Sequence, residues 1–124
     1  MRIVHAIDRD GVCLFEIEDE NDLFVLYQIL SLNDTIEGKT VRKVTQTVST
    51  GSVVTEKVHA KLRLKVLRFE YGDTVDVTGT IIASSRSEIA TGHYHTLNIG
   101  VGDRVSLTKP RWDEIDRLKL AEAA

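Results

Sequence analysis

Several features that commonly identify a protein class are scarce or missing in this sequence. Its single cysteine, Cys13, excludes an internal disulfide, and the apolar residues around it predict a small buried side chain. No run approaches the roughly 18 apolar residues of a membrane span. Charged residues among the first ten positions argue against a signal peptide. We therefore expect a cytoplasmic globular protein with no membrane partner.

An overall excess of positive charge is also missing, because 16 basic residues face 19 acidic ones. Net charge alone would argue against a polyanionic partner. The charges are segregated, however: positions 1–38 contain nine acidic and two basic residues, whereas positions 39–71 contain eight basic and two acidic residues. Such segregation indicates one surface that repels polyanions and another that attracts them. The simpler alternative is that the basic residues only keep an exposed strand face soluble.

The basic segment 41–65 contains the main candidate site. Within it, residues 61–66 alternate strictly between basic and apolar, which predicts a strand with one buried face and one exposed cationic face. A polar stretch with one glycine separates this strand from an earlier one. We predict strands over Thr35–Val48 and Val53–Phe69, joined into a long hairpin that presents positive charge to an anionic partner. The alternative for the tip is a disordered loop without a function.

Basic side chains would contact phosphates, hydroxyl groups would donate to phosphate oxygens, and the glycine would allow close backbone approach. The residues predicted to contact this polyanionic partner are Arg42, Lys43, Ser49, Thr50, Gly51, Ser52, Lys57, Lys61 and Arg63.

The rest of the chain predicts short strands connected by tight turns. Asp10-Gly11 marks a hairpin turn, after which Val12 and Leu14 should face the core, with Phe15 as a further core candidate. An acidic run, residues 18–22, precedes a helix and should cap it. Gly79 indicates a bulge or sharp bend within a strand. These features predict a single mainly β domain, residues 1–124, built as a small, strongly bent antiparallel barrel with one early helix and one C-terminal helix.

The C-terminal helix has its own pattern. Pro110 can occupy its first turn, and Trp112, Ile115 and Leu118 form an apolar stripe that should dock on the barrel.

Four groups of residues follow one another in the order and spacing of a known family. They are Thr40-Val41-Arg42-Lys43-Val44 with Ser49-Thr50-Gly51-Ser52-Val53; Asp22-Leu23-Phe24 with Tyr27-Gln28-Ile29 and Asn33-Asp34; Gly92-His93-Tyr94-His95-Thr96-Leu97; and Leu107-Thr108-Lys109 with Trp112-Asp113 and Leu118. Together they resemble the N-terminal domain of the Pelota family of archaeal and eukaryotic ribosome-rescue factors.

The resemblance implies an Sm-like barrel that recognises stalled ribosomes in no-go decay. Its hairpin would enter the A site and mRNA channel of the small ribosomal subunit, where it would contact RNA without reading a codon. The family's central and C-terminal domains would be missing from this chain. Those domains bind the translational GTPase, which is Hbs1-like or the archaeal elongation factor 1 alpha, and the recycling ATPase. We expect a monomer.

Two other functions remain open at this point. A divalent-metal-dependent endoribonuclease is suggested by proposals made for the family, and His93 and His95 would lie on one strand face as weak catalytic candidates. No carboxylate cluster with metal-binding spacing accompanies them. The other alternative is a protein-interaction module that uses the acidic residues Asp19–Asp22 and makes no contact with RNA.

Overall fold

The fold is one continuous antiparallel sheet of seven strands with two helices. The structure, a computed structural model, describes all 124 residues. Its elements are β1 (Arg2–His5), β2 (Val12–Glu16), α1 (Glu20–Ile29), β3 (Thr35–Thr47), β4 (Val53–Tyr71), β5 (Val75–Ser84), β6 (Tyr94–Ile99), β7 (Arg104–Thr108) and α2 (Glu114–Ala123). In the sheet the strands lie in the order β1-β2-β7-β3-β4-β5-β6, so β1 and β6 are its edges.

The prediction of a mainly β fold with one early and one C-terminal helix is confirmed. The bent sheet does not close into a complete barrel, because its two edge strands do not pair. Strand β3 pairs with β7 only from Thr35 to Glu37 and then continues with β4 alone. The free edge of β6 curls towards β3, where Leu97 lies beside Gly38. No backbone ladder joins β6 to β3, and this leaves a seam between the two strands.

The predicted bend at Gly79 is present. Gly79 lies opposite Val66, and the β4–β5 register shifts between Val66 and Arg68, so Leu67 is the extra residue of a bulge. A Cβ atom at position 79 would lie 2.3 Å from the carbonyl oxygen of Lys65. Only glycine allows the two strands to approach this closely, and the approach bends the sheet.

Helix α1 covers the apolar side of the sheet and is capped as predicted. The Asp19 carboxylate accepts from the backbone N–H of Asp22 at 2.9 Å, and the Asp22 carboxylate accepts from the backbone N–H of Glu18 at 2.8 Å. Tyr27 and Phe69 meet edge to face at 5.7 Å and pack the helix against β4. Two acidic side chains of the run therefore stabilise the start of the helix.

The prediction for β2 was right for Cys13 and Phe15 and wrong for Val12 and Leu14. Cys13 and Phe15 are fully buried, whereas Val12 and Leu14 are only partly covered. Both faces of this strand are apolar, so alternation could not distinguish them. The choice is made by pairing with β7, where Cys13 lies opposite the buried Leu107.

The stripe predicted for α2 was also wrong in part. Trp112 is buried, and its indole N–H donates to the Gly11 carbonyl at 2.8 Å, but Ile115 and Leu118 are 62% and 57% exposed. Pro110 lies before the helix. The helix docks instead through Leu120 and the partly buried Ala123, and Trp112 lies before its first turn. Neither helix has the length and apolar character needed to cross a membrane.

Candidate nucleic-acid interface

The most prominent surface feature is an extension of β3 and β4 beyond the rest of the sheet. Residues 41–59, here called the hairpin arm, pair along the backbone only with each other. At the tip, the N–H of Val48 donates to the Ser52 carbonyl at 3.0 Å, and the N–H of Gly51 donates to the Val48 carbonyl at 2.9 Å. Gly51 has φ +83°, a conformation that glycine adopts without strain. The chain therefore forms the protruding hairpin that its sequence predicts.

One face of the arm and its base is strongly cationic. Lys39 lies opposite Lys61 and Lys43 lies opposite Lys57, with His59 between them, and all five side chains are exposed. We call these five residues the lysine face. Like charges directly opposite each other on a sheet destabilise it by mutual repulsion. A polyanion laid along this face would relieve that repulsion.

Three of the four lysines are free of intramolecular ion pairs. The Nζ atom of Lys61 lies 3.3 Å from a carboxylate oxygen of Glu37, but no carboxylate lies within 4 Å of Lys39, Lys43 or Lys57. Glu37 also holds Arg63, which donates to it from two nitrogens at 3.1 and 3.0 Å. The charges of Lys61 and Arg63 are therefore partly neutralised at the base of the arm.

Arg42 lies on the opposite face of the arm, although the sequence groups it with Lys43. It is half-buried, and its Nη1 atom donates to the Tyr94 carbonyl at 3.1 Å and to the Nδ1 atom of His95 at 3.0 Å. The candidate residues of the tip lie together in the exposed connection between the strands; they are Ser49, Thr50, Gly51 and Ser52. Arg42 therefore points at the body, while the tip and the lysine face are open to solvent.

Sequence reasoning missed two members of the lysine face, Lys39 and His59. Strand parity contains the signal, because Lys39 is four residues before Lys43 and His59 is two residues after Lys57. Using that signal requires the register between the strands, which depends on where the turn is placed. The observed turn ends β3 at Thr47, one residue earlier than predicted.

The two histidines of the nuclease alternative have different surroundings. His93 precedes β6 and is exposed, whereas His95 is half-buried and hydrogen-bonds through both ring nitrogens, to Thr40 at 2.9 Å and to Arg42. Burial, and secondly the charge of Arg42, lower the pKa of His95 below its ordinary value. The structure contains no group of three or more His, Cys, Asp or Glu side chains arranged to hold a metal ion. The fold does not assemble these histidines into one site.

Comparison with known proteins gives the family. The model of the Pelota N-terminal domain matches residues 1–124. The chain belongs to the Pelota N-terminal domain family. It is 35% identical over 132 residues to a pelota homolog of Thermococcus onnurineus and 30% identical over 123 residues to one of Caenorhabditis elegans. These alignments cover 100% and 94% of this chain, but only 36% and 32% of the relatives, so the chain spans about a third of their length.

Solved Pelota structures share the fold. The structure of ribosome-bound archaeal Pelota and ABCE1 superposes with a TM-score of 0.82 at 30% identity, over all of this chain and 36% of that one. S. cerevisiae Dom34, described as a translation termination-like factor that interacts with Hbs1, superposes with a TM-score of 0.75 at 19% identity, over 33% of its length. The fold of this chain is thus the fold of Pelota N-terminal domains.

Proposed function

We propose that this domain recognises stalled ribosomes in no-go decay by inserting the hairpin arm into the A site and mRNA channel of the small ribosomal subunit. The single observation that carries the proposal is the lysine face, on which three lysines without carboxylate partners extend from the base of the projecting arm along its length. Ribosome binding by a 30% identical Pelota supports the choice of partner. RNA is the polyanion that such a partner offers.

The shape of the arm suits a narrow channel. It is a two-stranded ribbon that projects roughly 20 Å at about 3.3 Å per residue, and its strands lie about 5 Å apart. Lysine contacts with phosphate carry no sequence information, so binding would be independent of the codon. The small hydroxyl and glycine residues of the tip would allow it to enter where mRNA is absent and to meet phosphates there.

Further partners are proposed for the full-length protein. The translational GTPase and the recycling ATPase would bind through the parts of the relatives that this chain does not span. The cytoplasm is the compartment that we propose, because a factor that binds translating ribosomes must meet them there.

The test is a salt titration of binding to purified small ribosomal subunits. Replacing Lys43 and Lys57 with alanine should weaken binding and reduce the dependence of log K on log salt, by about 0.7–0.9 for each phosphate that is no longer neutralised. The matched control replaces Lys65 and Arg68, which are exposed on β4 outside the arm and remove the same charge. Equal slopes for the parent and the arm variant would contradict the proposal, as would an equal weakening in the control.

A further inference from the structure

The seam between β3 and β6 contains a small polar cluster at the base of the arm. Three contacts span it: Thr40 Oγ1 to His95 Nε2 at 2.9 Å, Arg42 Nη1 to His95 Nδ1 at 3.0 Å, and Arg42 Nη1 to the Tyr94 carbonyl at 3.1 Å. They are the only hydrogen bonds between the two strands. On this side, the arm is tied to the body by side chains alone.

The chemistry of the partners determines where the imidazole proton lies. An arginine guanidinium can only donate, so His95 Nδ1 must accept with a free lone pair. A neutral imidazole then carries its hydrogen on Nε2, which donates to the Thr40 hydroxyl. The cluster therefore requires one protonation state and one tautomer of His95.

We propose that His95 is a positioning residue whose neutral Nε2–H form holds Arg42 and Thr40 and thereby fixes the direction of the hairpin arm relative to the body. The consequence for RNA binding rests on the function proposed above. The latch itself, defined as His95, Arg42 and Thr40, is a property of the isolated protein. The latch holds the lysine face in one direction relative to the body, because no other hydrogen bonds join β3 to β6 across the seam.

Protonation should open the latch, since a charged imidazole has no lone pair and faces the Arg42 cation. The surrounding elements supply no compensating negative charge. Val58 and Ala60 of β4 lie opposite Arg42 and Thr40, and Gly79 of β5 lies opposite His95. The nearest acidic residue on that face of the arm is Glu56. It lies two residues beyond Val58 towards the tip, opposite Val44, and makes no ion pair.

The direct test measures the distance from the tip to the body by electron spin resonance. Labels are attached at Thr50→Cys and Glu114→Cys, both exposed sites. The native Cys13 should stay unlabelled because it is fully buried and its thiol pKa is raised to about 11. At about pH 7.5 we expect a narrow distance distribution that broadens in His95→Ala. The matched control is His93→Ala, which removes an exposed imidazole two residues away and should leave the distribution narrow.

A conservative variant distinguishes loss of the latch from misfolding of the protein. In His95→Asn the side-chain oxygen can accept from Arg42 near the former Nδ1 position, so the narrow distribution should be partly restored. In the parent, lowering the pH through and below about 6.5, the ordinary value for histidine, should broaden the distribution reversibly while the circular dichroism of the sheet stays unchanged. An identical distribution in parent, His95→Ala and acid would overturn the latch.

Nitrogen NMR provides an independent reading. Long-range proton–nitrogen spectra should show an unprotonated Nδ1 and a protonated Nε2 for His95 at about pH 7.5, and fast exchange between tautomers for His93. A protonated Nδ1 in His95 would overturn the proposal.

The latch and the RNA contact can fail separately. If the latch and the RNA contact both exist, His95→Ala should weaken binding to the small ribosomal subunit several-fold. The dependence of log K on log salt should stay unchanged, because the phosphate contacts remain available. Lys43→Ala with Lys57→Ala should instead reduce the slope and leave the distance distribution narrow. A broadened distribution with unchanged binding would keep the latch and overturn its role in RNA binding.

Discussion

At the residue scale, a buried ion pair that stabilises the fold lies away from the arm. Lys109 and Asp34 form an ion pair at 2.6 Å, and each side chain is about 97% buried. Asp34 also accepts from the backbone N–H of Ser31 at 2.9 Å, and the Lys109 ammonium lies 5.7 Å from the centre of the Trp112 ring. The pair joins the turn after α1 to the end of β7. Its value depends on both partners, since a buried charge without a partner is costly.

Replacing Lys109 with alanine should lower the free energy of unfolding by about 3–5 kcal/mol, because it leaves the Asp34 carboxylate buried and unpaired. Urea denaturation measures the loss. Lys65→Ala, which removes an exposed lysine, is the control and should change stability little. The double variant Lys109→Met with Asp34→Asn removes both charges and should recover much of the loss. A single variant as stable as the parent would contradict this reading of the pair.

Glu16 provides a prediction about pH. Hydrogen bonds from Arg2 and Arg104 lower the pKa of its carboxyl to about 2, from an ordinary value of 4.5. A carboxylate with a depressed pKa in the folded state contributes stability above its unfolded value and loses it as the pH falls through the folded value. The contribution of Glu16 should therefore be present above about 4.5 and disappear towards about 2.

The measurement is urea unfolding at several pH values between about 2 and 5, on the parent and on Glu16→Gln. The variant should be less stable than the parent at the upper end of this range and should converge with it at the lower end. Glu122→Gln, an exposed change on α2 without an ion pair, should follow the parent throughout. A difference between Glu16→Gln and the parent that does not vary with pH would contradict the assignment.

At the scale of elements, the bulge in β4 and the glycine opposite it shape the sheet. The tight approach of Gly79 to the Lys65 carbonyl leaves no room for a side chain, and Leu64 lies close as well. The contact lies at the bulge of β4, and on its other side Gly79 pairs with His95 of β6, which lies at the seam. The bend of the sheet and the residue of the latch therefore meet at Gly79.

Gly79→Ala should lower the free energy of unfolding by about 1–3 kcal/mol, because the added methyl group must push the two strands apart. Thermal or urea denaturation measures the effect. Gly72→Ala is the control, since a Cβ there meets nothing nearer than 3.9 Å and the backbone is not in the left-handed region. If both alanine variants had equal stability, the close approach of β4 and β5 would not be a constraint.

At the scale of the whole molecule, the net charge is −3, but acidic and basic side chains differ in how many of them are paired within the fold. Acidic side chains of the body are largely engaged within the fold: Glu16 binds two arginines, Glu37 binds Lys61 and Arg63, and Asp22 pairs with the N-terminal ammonium at 2.8 Å. The lysines of the arm lack such partners. Their positive charge is therefore available to an external polyanion even though the protein as a whole is acidic.

Much of this organisation could be predicted from local patterns. Alternation located β4 and the exposed cationic row from Lys61 to Lys65, and the acidic run gave the cap of α1. Local patterns failed where apolar side chains lie on more than one side of an element: Val12 and Leu14 of β2 are only partly covered, and Ile115 and Leu118 of α2 are exposed. Such faces are chosen by the neighbouring element, which lies far away in sequence.

The amino-acid sequence by itself determined that a mainly β domain would carry a long basic hairpin, because strand period and turn residues are local properties. Only the tertiary structure decided which cations share a face and which are paired inside the molecule. It turned Arg42 towards His95, paired Arg63 with Glu37 and aligned Lys39 with Lys61. The physical reason is register: these cross-strand and seam contacts join residues more than 20 positions apart, and no spacing along the chain specifies them.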